Sequence, residues 1–328
     1  MFQKISHNTK KVILTTLVSI IVAISSYTVM YLTNFKQYEQ EISNKLYMLG
    51  KEQKDSLKRF LNEIEEEIIF VSNINGIKTL NPSEVVRISS YLMSTKNRYK
   101  KLIVMNTKGN ILYGYLEKPE AIYENSSFEK AIATKEISKE VENKGSEYVI
   151  NIYCPIVNSN GESVGIIYLE IKMAEISDIL KTSKTEEGME SYVVNKEGIM
   201  LTESRFAPDA VGKIKVNLKS LKISIDHLAT TKYKDYRGED VYGRYFDVGD
   251  LGWTLIVESN YSYSKMKQEK TKTIGQITVA LQGLCVFLVQ IYLRKKFDLS
   301  LSEIINDEVK NDLNIDLGGE ENGQENKK

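Results

Sequence analysis

The stretch between residues 113 and 153 carries aromatic and amide side chains of the types that line pockets for small molecules. A tyrosine ring offers an apolar face with one polar tip, which suits a small ligand. Alternation along an extended strand also places Asn151 on the same face as Val149 and Tyr153. The alternative for each residue is ordinary packing within a sheet. The candidate ligand-binding residues are Tyr113, Tyr123, Phe128, Tyr148, Asn151 and Tyr153.

Two arginines later in the chain are candidates for an anion site. Arg205 and Arg237 each follow a predicted strand in a turn, beside the aromatic residues Phe206 and Tyr236. A guanidinium group binds anions through paired hydrogen bonds. The possible second site therefore consists of Arg205, Tyr236 and Arg237, and the alternative is a salt bridge that holds the module together.

The sequence offers no recognisable catalytic motif and no metal-binding motif. Its only histidines, His7 and His227, give no basis for a metal cluster or a Ser-His-Asp set, so we predict no metal and no cofactor. Cys154 and Cys285 lie in regions that cannot form an internal disulfide. The Gly-rich spot at 318–319 follows no predicted strand, unlike a phosphate-binding loop. We therefore predict that the protein is not an enzyme.

The charged residues are balanced, and the apolar residues are concentrated in two places. The 328 residues include 44 basic and 44 acidic ones, which gives no reason to expect nucleic acid as a partner. Residues 12–32 and 274–293 carry no charge. A helix rises ~1.5 Å per residue, so each run is long enough to cross a hydrocarbon core of ~30 Å. The alternatives are a cleaved signal peptide for the first run and a buried core helix for either.

Basic residues near these two runs predict the orientation of the chain. Lys10 and Lys11 precede the first run, and three basic residues at 294–296 follow the second. Basic residues near a membrane segment favour the cytoplasmic side. The lysines at 265–272, just before the second run, argue for the opposite orientation, but long translocated domains largely escape this rule. We predict a two-pass protein of the cell membrane with both termini in the cytoplasm and the main domain outside.

A long helix is predicted after the first apolar run. Apolar residues from Phe35 to Val71 recur at steps of three and four, with a polar gap at Gln53. The helix extends to about residue 72, and Asn81-Pro82-Ser83 marks the start of a second helix over 83–97. The apolar stripe predicts core packing, a homodimer seam, or each on a different stretch.

An internal repeat defines the outer domain. Val104, Asn106, Gly109 and Leu112 recur as Val193, Asn195, Gly198 and Leu201. Each copy reads as a strand, an Asn-x-x-Gly turn and a second strand, which is a hairpin signature. A further strand pair follows each copy, at 148–157 with 164–171 and at 241–248 with 253–259. The outer domain therefore contains two antiparallel-sheet modules.

The segment after the second apolar run reads as a short acidic tail. From Phe297 to Lys328 it has nine acidic residues against three lysines, and it reads as disordered. It is shorter than most chains that fold alone, and it contains no histidine to accept a phosphoryl group. We therefore predict no catalytic domain in this tail.

Several ordered stretches carry a family resemblance. The second module reads Gly-Met-Glu-Ser-Tyr-Val-Val-Asn-Lys-Glu-Gly at 188–198, Asp-Tyr-Arg-Gly at 235–238 and Leu-Gly-Trp-Thr-Leu-Ile-Val-Glu at 251–258, and the first reads Cys-Pro-Ile-Val at 154–157. This series resembles the double Cache (dCache) sensor domains of bacterial transmembrane receptors. The resemblance implies an α+β fold of two tandem PAS-like antiparallel-sheet modules on a long N-terminal helix, flanked by two transmembrane helices.

The resemblance also implies where a ligand binds. Ligands usually bind the membrane-distal module, and some members grip an amino-acid carboxylate with the arginine of an Arg-x-Trp-Tyr pattern. The matching positions here are Asn125, Ser127 and Phe128, so the bidentate clamp for a carboxylate is missing.

The predicted domains are 1–11 as cytoplasmic N-terminus, 12–32 and 273–293 as transmembrane helices, 33–98 as the two outer helices, 99–180 as distal module, 181–272 as proximal module and 294–328 as cytoplasmic tail.

These observations predict a membrane-anchored extracytoplasmic sensor. It binds a small molecule outside, lies in the lipid bilayer, pairs as a homodimer through the long helix and signals through a separate cytoplasmic or membrane partner. The alternative is a non-catalytic envelope interaction protein, or a receptor remnant that lacks signal output.

Overall fold

The computed structural model describes most of the chain between residues 7 and 292. The described residues are 7–118, 120–145, 147–183, 186–218, 230–249, 251–263, 269, 273–292, 295, 306 and 309. His227 and nearly all of the predicted tail lie outside the described residues. The chain divides into two compact units, one of Met1–Tyr38 with Lys267–Lys328 and one of Glu39–Met266.

The first unit contains the two apolar runs. Helix α1 (His7–Ser72) begins here, and its shorter apolar stretch is Thr16–Val29. Helix α7 (Thr273–Tyr292) is, among the described residues, the one helix long and apolar enough to cross a membrane. Only 6 % of α7 is buried, which argues against a buried core helix. Within this unit Thr16 Oγ1 donates a hydrogen bond to Gln290 Oε1 over 3.0 Å.

In the second unit the apolar stripe of α1 packs into the core. Residues on one face of the helix are buried, as the spacing of three and four predicts. These residues are Ile42, Leu46, Leu49, Leu57, Leu61, Ile64, Ile68 and Val71. Met48 and Phe70 lie on other faces and are exposed. The stripe is therefore used for packing within the chain, and a homodimer contact stays a prediction.

Two short helices follow α1. Helix α2 spans Asn75–Lys78, and helix α3 spans Pro82–Thr95. The side chain of Asn81 caps α3, because its Oδ1 accepts hydrogen bonds from the backbone N–H groups of Ser83 and Glu84. The predicted second helix is confirmed.

A five-stranded antiparallel sheet follows, which we call the distal sheet. Its strands lie in the order β2-β1-β5-β4-β3. Helices α4 (Glu120–Tyr123) and α5 (Ser126–Thr134) lie between β2 and β3 in the chain. The strands are β1 (Tyr99–Asn106), β2 (Ile111–Tyr113), β3 (Ser138–Asn143), β4 (Tyr148–Val157) and β5 (Ser163–Lys172).

Helix α6 (Met173–Thr182) leads to a four-stranded antiparallel sheet, which we call the proximal sheet. Its strands lie in the order β6-β9-β8-β7, with the first strand paired to the last as in the distal sheet. The α+β class and the antiparallel sheets are confirmed. The strands are β6 (Met189–Val194), β7 (Thr231–Lys234), β8 (Asp240–Asp247) and β9 (Thr254–Asn260).

Both copies of the internal repeat contain the same type of turn, in which an Asn side chain accepts backbone hydrogen bonds. The Oδ1 atom of Asn106 accepts hydrogen bonds from the backbone N–H groups of Lys108 and Asn110, and Gly109 follows with a φ of +82°. That left-handed conformation suits glycine, which lacks a Cβ. The same arrangement recurs at Asn158, Asn195 and Asp235, each three residues before a glycine of positive φ.

Gly50 is a glycine inside α1 that close packing requires. A Cβ added there would lie 1.9 Å from Cε2 of the Phe246 ring on β8. We expect Gly50→Ala to lower the free energy of unfolding by about 1–3 kcal/mol, because overpacking outweighs the better helix propensity of alanine. Thermal and denaturant unfolding of the full chain measure this loss.

The control for this prediction removes the ring that causes the clash. In a Phe246→Ala background we expect Gly50→Ala to be neutral or stabilising, because the space beside Gly50 is then open. An equal loss of stability in both backgrounds would show that the Phe246 ring is not the cause.

Candidate functional site

The face of the distal sheet that packs against α4 and α5 carries most of the predicted pocket. Phe128 and Tyr153 are buried in one apolar cluster, and Tyr123 packs against it. Asn151 is 1 % exposed, and its Oδ1 accepts a hydrogen bond from the hydroxyl of Tyr168 over 2.9 Å. Tyr168 belongs to the same cluster, and its ring centroid lies 5.2 Å from that of Tyr153. The structure therefore brings these four predicted residues to one face.

The other two predicted pocket residues lie apart from this cluster. Tyr113 is half-buried at the end of β2, the edge strand. Tyr148, at the start of β4, accepts a hydrogen bond from Asn143, and its ring lies where a side chain on Gly212 would have to go. Tyr148 thus contacts the proximal module, and neither tyrosine is in the cluster.

A carboxylate, Glu140 of β3, stands at the polar edge of the cluster. Its Oε1 accepts hydrogen bonds from Tyr153 Oη over 2.8 Å and from Asn125 Nδ2 over 2.9 Å. Its Oε2 accepts one from Ser127 Oγ over 2.9 Å. Burial and the Glu140 hydrogen bond raise the pKa of Tyr153 far above its usual value, so its hydroxyl stays a donor. Three uncharged donors therefore hold this carboxylate in place.

Glu140 differs from the other carboxylates of the face in its lack of a basic partner. Glu170 lies 3.2 Å from Lys100, and Glu142 lies 2.9 Å from Lys144. Within the described part of the chain, Glu140 forms no ion pair. Among the described residues, Glu140 is therefore the carboxylate of this face that has no ion pair.

Sequence reasoning missed Glu140, Glu142, Tyr168 and Glu170. Strand β3 reads Ser-Lys-Glu-Val-Glu-Asn, which looks like an exposed polar segment. Pairing with β4 sets Glu140 opposite Asn151, so the carboxylate joins the predicted pocket. The available signal was the two-residue spacing of Glu140 and Glu142, which puts both on one face of a strand.

The predicted anion site in the proximal module is surrounded by acids. The guanidinium of Arg237 donates to Asp235 Oδ2 from Nε over 2.7 Å, and its Nη2 lies 3.4 Å from Glu190 Oε1. Tyr236 donates to Glu190 Oε2 over 3.1 Å. These contacts favour the framework role for Arg237 and Tyr236.

Arg205 does not join that group of contacts. Its Nη1 donates to the backbone carbonyls of Glu186 over 3.0 Å and Met189 over 3.3 Å. The ring that lies near Arg237 is Phe206, whose centroid is 4.1 Å from the guanidinium carbon of Arg237. The side chain of Arg205 is exposed. The two arginines therefore do not converge on one anion.

A separate cavity of about 630 Å³ lies between α1 and the β3–β4 edge of the distal sheet. It is bordered by α1 residues such as Ile69 and by Lys139 and Cys154 of β3 and β4. None of the predicted pocket residues lines this cavity. Glu140 itself lies outside this cavity and is half-buried.

Two tandem antiparallel sheets behind a long helix define a class of paired sensor modules. A model of the Cache domain family, in its double form, matches residues 4–265. The chain therefore belongs to the double Cache family of sensor domains. No curated protein sequence matches the chain.

Solved structures share this fold at low sequence identity. The ligand-binding domain of the Campylobacter jejuni chemoreceptor Tlp3, in complex with L-valine, is 11 % identical, with 70 % of this chain and 97 % of that one covered and a TM-score of 0.55. The sensory domain of the same receptor with isoleucine bound is 12 % identical over 70 % and 97 %, also with a TM-score of 0.55. The ligand-binding domain of Mlp24 with asparagine is 10 % identical over 71 % and 98 %, with a TM-score of 0.50.

Proposed function

We propose that the protein is a membrane-anchored sensor that binds a small organic cation at the Glu140 face of its distal module. The observation that carries the proposal is the pair of hydrogen bonds that Asn125 and Ser127 donate. These two residues occupy the positions of the arginine and tryptophan in the carboxylate-binding pattern, and here both donate to Glu140. The residues at the positions of the carboxylate-binding pattern, which some members of the family use, therefore hold a carboxylate of the protein itself in place.

The aromatic residues of the face support a cationic ligand as well. An ammonium group is attracted both to a carboxylate and to the face of an aromatic ring. Tyr153 and Tyr168 form a tilted ring pair next to Glu140, and Tyr123 packs against the same cluster. A negative charge lined by tyrosines therefore favours an amine or a quaternary ammonium and disfavours a free carboxylate.

The ligands of the structural relatives set the expected size of the molecule. Tlp3 binds L-valine and isoleucine, and Mlp24 binds asparagine. Each ligand carries an ammonium group as well as a carboxylate. We propose a ligand of similar size whose recognition here rests on the ammonium group, because the residues that would grip the carboxylate are absent from the matching positions.

The anchoring part of the proposal rests on the apolar helices. Helix α7 is long enough to cross a bilayer, and its apolar side chains are exposed. The first predicted segment, 12–32, is helical, with exposed apolar side chains such as Ile21 and Val29. Exposed apolar surfaces of this extent call for a covering medium, and lipid is the one we propose. Both termini are then cytoplasmic, and the signal passes to a separate partner.

A panel of small ligands tests this function. We expect primary amines and quaternary ammonium compounds such as putrescine, ethanolamine or choline to raise the melting temperature of the full-length protein in detergent. A ligand at 100 times its Kd adds about 2.7 kcal/mol, which corresponds to roughly 5–10 °C for a domain of this size. Acetate and succinate, which carry no ammonium group, are the matched controls and should give no shift.

Two outcomes count against the proposal. Stabilisation by the carboxylates without stabilisation by the amines would contradict a cation site. Stabilisation by neither class would favour the alternative of a non-catalytic envelope interaction protein.

A further inference from the structure

A second acidic group lies buried inside the proximal module. Glu190 on β6 is 2 % exposed, Glu258 on β9 is 1 % exposed, and Asp235 is 8 % exposed. One carboxylate oxygen from each residue lies within 4.8 Å of the others. Taking charges out of water is costly, so a buried acidic cluster needs either a compensating cation or a bound proton.

The strand register brings two of these acids face to face. Glu190 lies directly opposite Glu258 in the pairing of β6 with β9. The repeat-related pair in the distal sheet is Lys101 opposite Glu170. Like charges directly opposite each other destabilise a sheet, whereas opposite charges stabilise it. The proximal module has a glutamate where the distal module has a lysine, so the compensating charge must come from elsewhere.

Hydrogen bonds fix one oxygen of each glutamate and leave the other open. Glu258 Oε1 accepts from the hydroxyls of Tyr192, over 2.9 Å, and Tyr233. Glu190 Oε2 accepts from Ser204 and from Tyr236. The remaining oxygens, Glu258 Oε2 and Glu190 Oε1, are buried without a hydrogen-bond donor among the residues that the structure describes. A buried carboxylate oxygen without a partner is rare in folded proteins.

The local arginine supplies only part of the compensating charge. Arg237 binds Asp235 Oδ2 through Nε over 2.7 Å and through Nη2 over 2.6 Å. Asp235 Oδ1 is occupied by the backbone N–H groups of Arg237 and Glu239. The Nη2 atom of Arg237 also forms an ion pair with Glu190 Oε1 over 3.4 Å. One guanidinium therefore faces three carboxylates, and a divalent cation would balance the charge that is left when all three are ionised.

We infer that the proximal module binds a divalent cation of the calcium type between Glu190 Oε1 and Glu258 Oε2, with Asp235 beside them as the third acid. Oxygen ligands are the preference of Ca²⁺, which binds them at about 2.3–2.6 Å. Two oxygens on opposite sides of such an ion are therefore about 4.6–5.2 Å apart, and one carboxylate oxygen of each acid lies within 4.8 Å of the others. Hydroxyl groups that hold the outer oxygens of the ligands are typical of metal sites.

Shared protonation is the competing explanation for the same geometry. Burial raises the pKa of both glutamates, and a single proton between them would also remove the repulsion. The two explanations differ in their response to metal. A cation site gains stability from Ca²⁺, whereas a carboxyl–carboxylate pair that only shares a proton does not.

Terbium luminescence on the full-length protein in detergent is the direct test. After removal of metals with EDTA, Tb³⁺ alone is added and the tyrosines are excited. Three tyrosines, Tyr192, Tyr233 and Tyr236, donate hydrogen bonds to the two glutamates, so sensitised emission is expected from a bound ion. We expect Ca²⁺ to displace the Tb³⁺ and, in its absence, to raise the melting temperature by roughly 5 °C or more.

Variants locate the site. We expect Glu258→Gln to weaken Ca²⁺ binding at least tenfold, because affinity depends on the number of ligand charges. Glu190→Gln provides an independent second variant if Glu258→Gln does not fold. Glu197→Gln, an exposed acid of the same module, should bind Ca²⁺ like the wild type. The proposal is overturned if wild-type protein shows neither Ca²⁺-displaceable emission nor a Ca²⁺-dependent shift, or if Ca²⁺ acts equally on wild type and on both glutamine variants.

Discussion

Replacing Glu140 by glutamine is expected to reduce the affinity for a cationic ligand by roughly 10- to 100-fold. A hydrogen bond to a charged group contributes about 1.5–3 kcal/mol, and about 1.4 kcal/mol corresponds to a factor of ten in Kd. Glutamine has nearly the same shape and keeps an oxygen to accept from Tyr153, which now bonds to Oε1. The loss would therefore report the charge of Glu140 and not the packing around it.

Isothermal titration calorimetry on the full-length protein, with an amine that stabilises the wild type, measures this change. Glu129→Gln is the matched control, because Glu129 is an exposed acid on α5 of the same module. Its affinity for the amine should stay within about twofold of wild type, since exposed charges contribute little. If Glu140→Gln and Glu129→Gln bind the amine equally well, Glu140 is not the ligand-binding carboxylate.

The sequence predicts the elements around this site better than the site itself. The hairpins are visible because their turn chemistry is local: Asn106 and Asn195 bond to backbone groups within four residues, and a glycine follows. Helix α3 is visible for the same reason, through Asn81 and Pro82. Local rules of this kind need no knowledge of which strands pair.

The candidate site residues depend on pairing between distant strands, which the sequence does not display. Phe128 lies on helix α5, where its ring packs into the same cluster as Tyr153. Asn151 and Tyr153 were predictable as neighbours on one strand face, because side chains alternate along a strand. Glu140 was not predictable in this way, because β3 resembles an exposed segment in the sequence. It joins this face only through its pairing with β4. A search of the sequence for metal ligands that considers only histidine and cysteine likewise overlooks a pair of carboxylates such as Glu190 and Glu258.

The two modules differ in how they neutralise the acids on equivalent strands. In the distal sheet Glu170 lies close to Lys100 and Lys144, so its charge is balanced by side chains. In the proximal sheet the described residues place no lysine next to Glu258. This difference is the basis of both proposals: a ligand with one positive charge beside Glu140, and a divalent ion between Glu190 and Glu258.

Gln53 is the second position where a large effect is expected, here on stability. It interrupts the apolar stripe of α1 and is fully buried. Its Nε2 donates to the backbone carbonyl of Leu180, over 3.1 Å, and to Ser191 Oγ, over 2.8 Å. Leu180 lies in α6, which follows the distal sheet, and Ser191 lies in β6 of the proximal sheet. One side chain therefore connects α1 to α6 and to the proximal sheet.

We expect Gln53→Leu to lower the free energy of unfolding by about 2–4 kcal/mol, because it leaves the buried carbonyl of Leu180 and the half-buried hydroxyl of Ser191 without their donor. Thermal unfolding of the full chain should show a decrease of roughly 5–15 °C in the melting temperature. Gln40→Leu, at an exposed position of the same helix, is the control and should change it little. A melting temperature for Gln53→Leu equal to or above that of wild type would mean that apolar packing compensates for both lost hydrogen bonds. The connection of α1 to α6 and the proximal sheet would then rest on the apolar stripe alone, from Ile42 to Val71.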